Sequence, residues 1–300
     1  MKLSVVVPTL NGRDQLAGCL DALAEHAPDA EVVVVNGPSA DGTTGMVRDR
    51  DDVDVLVEIA DRGLNVARNA GIDRATGDVV ALLNHGLSVE EGWTDALVSA
   101  IAEADVVSGP THRELKTGLT TESVETRTIK GRTVTYFNGD NAAFSRAALD
   151  ALDGFDEYLQ TGGSRDAAHR LAGIDYEVVW ESDMCVRSEY GTDGGVAETD
   201  WNWKYRALAY RLAKNYGLRP TVVARMIGHG VRDAGSTLRD VAKGNATPSS
   251  WFGNGRDVLT GMGTGLKDGL VARFTDRSSR RNPRGRSRRS DRAVTVYDWR

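Results

Sequence analysis

Cysteine is nearly absent from this 300-residue chain. Cys19 and Cys185 are the only two, and they form neither a CxxC pair nor a metal-ligand spacing, so neither a disulfide scaffold nor a zinc site is expected. Long apolar runs are missing as well: none approaches the ~20 residues that span a bilayer. The opening run Leu3-Ser4-Val5-Val6-Val7 is too short for a secretion signal and is broken by Pro8, which makes a cytoplasmic location the expectation. Lysine is scarce, with seven among 37 basic residues. What remains is ordinary globular material, 40% hydrophobic and 27% charged, enough for one large domain or two small ones.

The net charge of −6 conceals two signs. Residues 271–300 hold ten arginines against Asp276, Asp291 and Asp298, a balance of +7, which leaves −13 for the first 270 residues. Exposed carboxylates in such excess keep a protein hydrated by self-repulsion, as salt-adapted surfaces do. The acidic body also argues against nucleic acid as the partner of the arginines.

Leu3 to Val7, Glu31 to Val35, Val53 to Ile59 and Asp78 to Leu83 are β-branched or continuous apolar runs that read as buried strands. Between them, Leu16, Leu20 and Leu23 recur at i, i+4, i+7, and helical patterns follow Thr43 and Asn65. Alternating strands and helices predict an α/β protein with a parallel sheet covered on both faces. Ligands of such sheets sit at the carboxyl ends of strands, which points to the loops after Val7, Val35 and Leu83. Around Trp201 the pattern becomes helical, with Tyr205, Leu208, Ala209 and Leu212 on one side.

Four blocks then carry a resemblance. Val5-Val6-Val7-Pro8-Thr9-Leu10-Asn11-Gly12 is similar to the opening of the family 2 glycosyltransferases. Val35-Asn36-Gly37-Pro38-Ser39-Ala40-Asp41-Gly42-Thr43 resembles their second-strand turn. Gly63-Leu64-Asn65-Val66-Ala67-Arg68-Asn69-Ala70-Gly71 resembles their third block, and Asn138-Gly139-Asp140-Asn141-Ala142-Ala143-Phe144 with Asp153-Gly154-Phe155-Asp156-Glu157 their acceptor-side block. The resemblance implies the GT-A fold, a mixed and mostly parallel sheet flanked by helices. Residues 1–195 would form it, 1–110 as the nucleotide-sugar half and 111–195 as the acceptor half. A helical region over 196–270 and a basic tail over 271–300 would follow. It also implies a nucleotide-diphosphate sugar as donor, held by Pro8, Thr9, Asn11, Asn36, Asp41, Arg68 and His85. Arg68 offers a bidentate fork to the diphosphate. Residues Asn36 to Thr43 suit hydrogen bonds to base and ribose, and equally a plain turn and helix cap.

Two departures from the family pattern bear on the chemistry. Where family members carry Asp-x-Asp after the fourth strand, this chain has Asn84-His85-Gly86, a metal pair without negative charge. A divalent ion held by Asn84 and His85, Mn2+ before Mg2+, stands beside two alternatives: His85 on a phosphate, or His85 without a role. Where members show Glu-Asp-x-Asp, Gly163 and Ser164 replace the first two acids and Asp166 survives. An inverting transfer needs a base for the acceptor hydroxyl, so Asp166 is the first candidate and His169 the second. The competing reading pairs Asp166 with Arg165 or Arg170 in a salt bridge.

Further on, Val258, Leu259, Met262, Leu266, Leu270 and Phe274 form an apolar stripe, preceded by Trp251 and Phe252 and followed by the arginines. It reads either as a membrane-interface helix drawn to anionic headgroups or as a helix packed on its own domain; Gly261, Gly263, Gly265 and Gly269 weaken it in isolation. The acidic body is also similar to glycosyltransferases of salt-loving archaea. That likeness implies a lipid-linked saccharide acceptor of the dolichol phosphate type, glycan assembly for surface glycoproteins, and a peripheral position on the inner membrane face. A non-catalytic GT-A protein that binds sugar nucleotide or partner enzymes is the alternative.

Overall fold

The computed structural model describes residues 1–115, 118–120, 124–188, 200–243, 247–275 and 281–300. Its chain divides into two compact units. The first comprises residues 1–158, 163–195 and 284–300; the second comprises 159–162 and 196–283. The last seventeen residues thus belong to the first unit, and residues 159–162 to the second.

The first unit opens with β1 (Leu3–Thr9), α1 (Arg13–His26), β2 (Glu31–Asn36), α2 (Thr43–Arg48), β3 (Val55–Ile59), α3 (Leu64–Ile72) and β4 (Val79–Leu83). It continues through β5 (Ser88–Val89), α4 (Trp93–Ile101), β6 (Val106–Ser108), β7 (Thr111–Leu115), β8 (Gly118–Thr120), β9 (Glu125–Ile129) and β10 (Arg132–Tyr136). Then come β11 (Asn141–Ser145), α5 (Arg146–Leu152), α6 (Gly163–Leu171), β12 (Val178–Trp180) and β13 (Val186–Ser188). Eight strands form one sheet in the order β12-β6-β11-β4-β1-β2-β3-β14, the last being β14 (Ala293–Asp298). β1 runs parallel to β2 and β4, β2 to β3, and β6 to β12, while β11 and β14 run antiparallel to their neighbours. β1 and β2 are buried at every residue, which is why valine fills both faces instead of alternating with polar residues. One face buries Val5, Val7, Leu16, Leu20 and Trp93; the other buries Val6, Val66, Ala70, Phe144 and Phe155.

Residues 284–300, expected within a basic tail, lie in the first unit: strand β14 closes the sheet edge at β3, and Arg286, Arg289, Arg292 and Arg300 pair with acids of the same unit. Arg286 reaches Asp73 (2.7 Å) and Asp150 (3.2 Å), and Arg292 reaches Glu157 (2.5 Å) and Asp73 (3.0 Å). Arg300 reaches Glu31 at 2.9 Å, and Arg284 lies over the Tyr158 ring. Burial would raise the Glu31 carboxyl, but hydrogen bonds from Ser4, Thr76 and Arg300 overcome it and hold the group at about 2. The opposite charges at the two ends of the sequence thus meet in one fold. Arg277 and Arg280 lie outside the described residues.

The second unit is built from α7 (Trp201–Tyr216), α8 (Pro220–Ala242) and α9 (Pro248–Thr275). Gly261, Gly265 and Gly269, one turn apart, give α9 a face without side chains. A β-carbon on Gly261 would overlap the carbonyl of Asn202, and one on Gly265 that of Arg206. One on Gly269 would crowd Tyr210. The glycines that weaken an isolated helix therefore let α9 lie backbone against backbone on α7. Leu259 and Phe274 of the expected apolar stripe face solvent, while Gly261, Gly265, Gly269 and Ala272 form the buried seam. The side chain of Phe252 lies outside what is described. No helix among the described residues is long and apolar enough to cross a membrane.

Candidate active site

A cleft of about 130 Å³ opens at the carboxyl ends of β1, β3 and β4. Its walls are Pro8 and Thr9 at the end of β1, Leu10 after it, Gly37 after β2, and Asp61, Arg62 and Gly63 after β3. Arg68 of α3, Asn84 and His85 after β4, and Gly139 and Asp140 before β11 complete it. Parallel strands deliver these loops to one edge because every helical crossover returns the chain to the same side.

Arg68 is the charged centre of the cleft. Its side chain is only 5% exposed, and Nη2 donates to the Gly139 carbonyl at 2.6 Å and to Asp140 Oδ1 at 3.2 Å. The Phe155 ring lies 5.2 Å from its guanidinium carbon. Burial lowers its pKa and Asp140 acts in the opposite sense. Its Nε is buried without a hydrogen-bond partner, and so is Thr9 Oγ1. A buried polar atom left without a partner costs ~1–3 kcal/mol. Both atoms belong to residues that line the cleft.

His85 lines the same cleft. Its Nδ1 lies 3.2 Å from the Pro8 carbonyl, which can only accept, so Nδ1 carries the hydrogen and Nε2 keeps its lone pair. Burial pushes its pKa below the usual histidine value, with the Pro8 carbonyl and Asp140 opposing. Gly12 matches this ring, since a β-carbon there would overlap it. Asn84 accepts from the Gly86 amide at 2.9 Å and so closes its own turn. No third His, Cys, Asp or Glu among the described residues joins His85 in a metal-sized group at this cleft. The residues present do not fit a divalent ion held by the protein here.

Of the residues expected to hold a donor, Pro8, Thr9, Arg68 and His85 line the cleft; Asn11, Asn36 and Asp41 do not. Asn36 is spent on Thr44 and Ser39, at 2.9 and 2.7 Å. Asn11, at φ 51°, accepts from the Ala40 amide and receives its own support from Ser39 Oγ. Asp41 binds the Thr43 hydroxyl and amide and the Arg13 amide; the Thr43 hydroxyl foremost holds its carboxyl below the usual range. The turn-and-cap reading describes these three: they brace the β1 and β2 loops that shape the cleft.

The two residues expected as base, Asp166 and His169, are both buried. Asp166 and Arg170 on α6 form a 2.9 Å ion pair in which neither side chain has exposed surface. Arg170 also donates to the carbonyls of Leu152 and Gly154. A carboxylate sealed in this way is out of reach of an acceptor hydroxyl. His169 is equally buried, at 1% exposure, with Nε2 3.5 Å from the Tyr136 hydroxyl. The carboxylates that do reach the cleft are Asp61 and Asp140, at 42% and 43% exposure. Asp61 Oδ1 accepts from the Gly63 amide at the start of α3, and Asp140 sits in a turn made by Asn138. Asp140 lies inside the fourth block and Asp61 two residues before the third, and neither has a sequence spacing of its own.

Comparison with known proteins agrees with this geometry. Residues 4–152 match the family model for glycosyl transferase family 2. Glycosyltransferase AglE of Haloferax volcanii is 26% identical over 204 residues, 61% of this chain and 65% of its own length. Glycosyltransferase GlyA of Streptococcus pneumoniae is 29% identical over 36% of this chain and 16% of its own. The chain thus spans just under two thirds of the archaeal relative and a small part of the bacterial one. Among solved structures, a mannosyltransferase from Pyrobaculum calidifontis in complex with GDP-Man and Mn2+ superposes with a TM-score of 0.58 at 20% identity, covering 92% of this chain and 88% of that one. S. aureus TarS in complex with UDP-GlcNAc gives 0.62 at 18% identity, covering 89% and 81%. These likenesses place the sheet and its flanking helices in the GT-A fold. Residues 4–152, just under half of the chain, thus carry the likeness to glycosyl transferase family 2.

Proposed function

We propose that this protein transfers a sugar, with inversion, from a nucleotide-diphosphate sugar bound in the cleft to an acceptor hydroxyl. The observation that carries the reading is the pair of buried, unpartnered polar atoms, Thr9 Oγ1 and Arg68 Nε, on two residues that line the cleft. A ribose or diphosphate oxygen is the kind of group that satisfies both. In the transfer, the acceptor oxygen attacks the anomeric carbon opposite the diphosphate. The bond from that carbon to the phosphate oxygen breaks, and the diphosphate departs with the electron pair. Arg68 supplies positive charge for the departing anion. The acceptor proton must leave with a base, and Asp140 is the accessible carboxylate beside Arg68. Nucleotide sugars are in the complexes of the two structural neighbours, which supports the donor class.

The proposed acceptor is a lipid-linked saccharide of the dolichol phosphate type, in surface-glycoprotein assembly, reached by peripheral contact with a membrane. Support for membrane contact comes from α8, where exposed Ile227, Val231 and Leu238 fall within an arc of about 40°, a third of a turn from the row Arg225, Arg232 and Arg239. This replaces the 271–300 segment as the membrane-facing element. Incubating the full chain with UDP- and GDP-sugars and polyprenyl-phosphate saccharides tests the reading: a glycosylated lipid is expected. A non-catalytic protein, the reading that the sealed Asp166 and the Gly163-Ser164 replacement favour, would bind donor and give no product.

A further inference from the structure

We propose that Glu90, His112 and Cys185 form a binding site for a thiophilic divalent cation, Zn2+ by the chemistry of the donors, on the small sheet of the first unit. This sheet has the order β5-β13-β7-β8, and its register brings the three residues together. In the antiparallel pair, Val89 faces Val186, and the Glu90 amide donates to the Cys185 carbonyl at 3.1 Å, so Glu90 and Cys185 stand opposite one another. In the parallel pair, Arg187 faces His112. Side chains alternate along a strand, so Glu90, His112, Cys185 and Arg187 share one face, opposite the buried Val89, Thr111 and Val186.

On that face one donor atom from each of Glu90, His112 and Cys185 lies within 4.8 Å of the others. Donors bound to a tetrahedral zinc at ~2.0–2.3 Å stand about 3.3–3.8 Å apart, so small side-chain movements close the set. His112 Nδ1 is already 3.2 Å from Glu90 Oε2, while Arg187 holds the other carboxylate oxygen at 2.9 Å and leaves Oε2 for the ion. Both side chains of the first pair are only 19% and 24% exposed. Burial and the carboxylates of Glu90, Asp183 and Glu181 raise the Cys185 thiol, and the same negative surroundings favour a cation. One oxygen, one nitrogen and one sulfur donor match zinc better than magnesium or calcium, with a fourth position for water. On binding, the thiol releases its proton to solvent as the sulfur–metal bond forms, and the ion ties the ends of β5, β13 and β7. Ligands at 90, 112 and 185 have no short sequence spacing, so no zinc motif announces them.

The test uses the full chain freed of metal and titrated with Co2+, then with Zn2+ as competitor. One equivalent of Co2+ should give the near-ultraviolet absorption of a thiolate–cobalt bond, displaced by Zn2+. Cys185→Ser should abolish the band and His112→Gln should weaken Co2+ binding tenfold or more, while Cys19→Ala keeps both. No band, or a band that survives Cys185→Ser, overturns the proposal. In the unaltered chain, Zn2+ should slow alkylation of Cys185 by iodoacetamide at least tenfold, read by mass spectrometry; an unchanged rate overturns it without reference to any variant's folding. Neither readout depends on sugar transfer.

Discussion

Arg170 Nε lies 2.9 Å from Asp166 Oδ2, and the pair is wholly enclosed by α6 and the loop that follows α5. A buried ion pair of this kind is costly to break from one side, because the remaining charge has no solvent to fall back on. Asp166→Asn should therefore lower unfolding stability by ~3 kcal/mol or more in urea titration. Donor affinity per folded molecule should stay that of the parent. A variant of full stability with lost turnover would return Asp166 to the chemistry.

Asp140 is expected to take the acceptor proton. Asp140→Asn keeps the shape of the side chain and removes its basicity, so turnover should fall by ~10²–10⁴-fold. Donor binding should hold or tighten, because a negative charge next to the diphosphate is lost. Steady-state transfer rates and a donor titration separate the two effects. Equal turnover would transfer the role to Asp61 or to another group.

His85 sets a pH dependence. Burial keeps the free protein's imidazole below its usual pKa, whereas a diphosphate in the cleft favours the protonated ring and raises it. Donor binding then takes up a proton. Affinity should rise as pH falls through the pKa of the complex and level off below that of the free protein. The diphosphate of a nucleotide sugar stays ionised throughout, so the slope belongs to the protein. Affinities measured between pH 8 and pH 5.5 should show it, and His85→Gln should flatten it.

Gly265 holds α9 against α7. Alanine is the better helix former by up to ~1 kcal/mol, yet its β-carbon has no room against the Arg206 carbonyl. Overpacking should win, and Gly265→Ala should cost ~1–3 kcal/mol in thermal or urea unfolding. Gly263→Ala, one residue from the seam and with open space around it, should be neutral or stabilising.

The strands β1 to β4 could be read from their apolar runs, because full burial leaves the same valine-rich signature wherever the strand ends up. Pro8, Thr9, Arg68 and His85 line the cleft at the strand ends, where the strand-end rule places ligands. Asn36 and Asp41 were ambiguous in principle, since a turn and a ribose ask for the same side-chain oxygens, and here the turn takes them. The Asp166–Arg170 spacing was visible as a helical pair, but nothing local states that tertiary packing would remove both from water. Asp61 and Asp140 carry no pattern of their own. Pairing of Asp298 with Val55 joins residues more than two hundred positions apart, and no local signal reports such a partner.

The most direct measurement is a calorimetric titration of UDP- and GDP-sugars into the full chain and into folded Arg68→Gln. The account predicts that at least one donor binds the parent and that the variant binds it at least tenfold more weakly. Absence of binding by every donor, or equal affinity in the two proteins, would contradict a nucleotide-sugar site in this cleft.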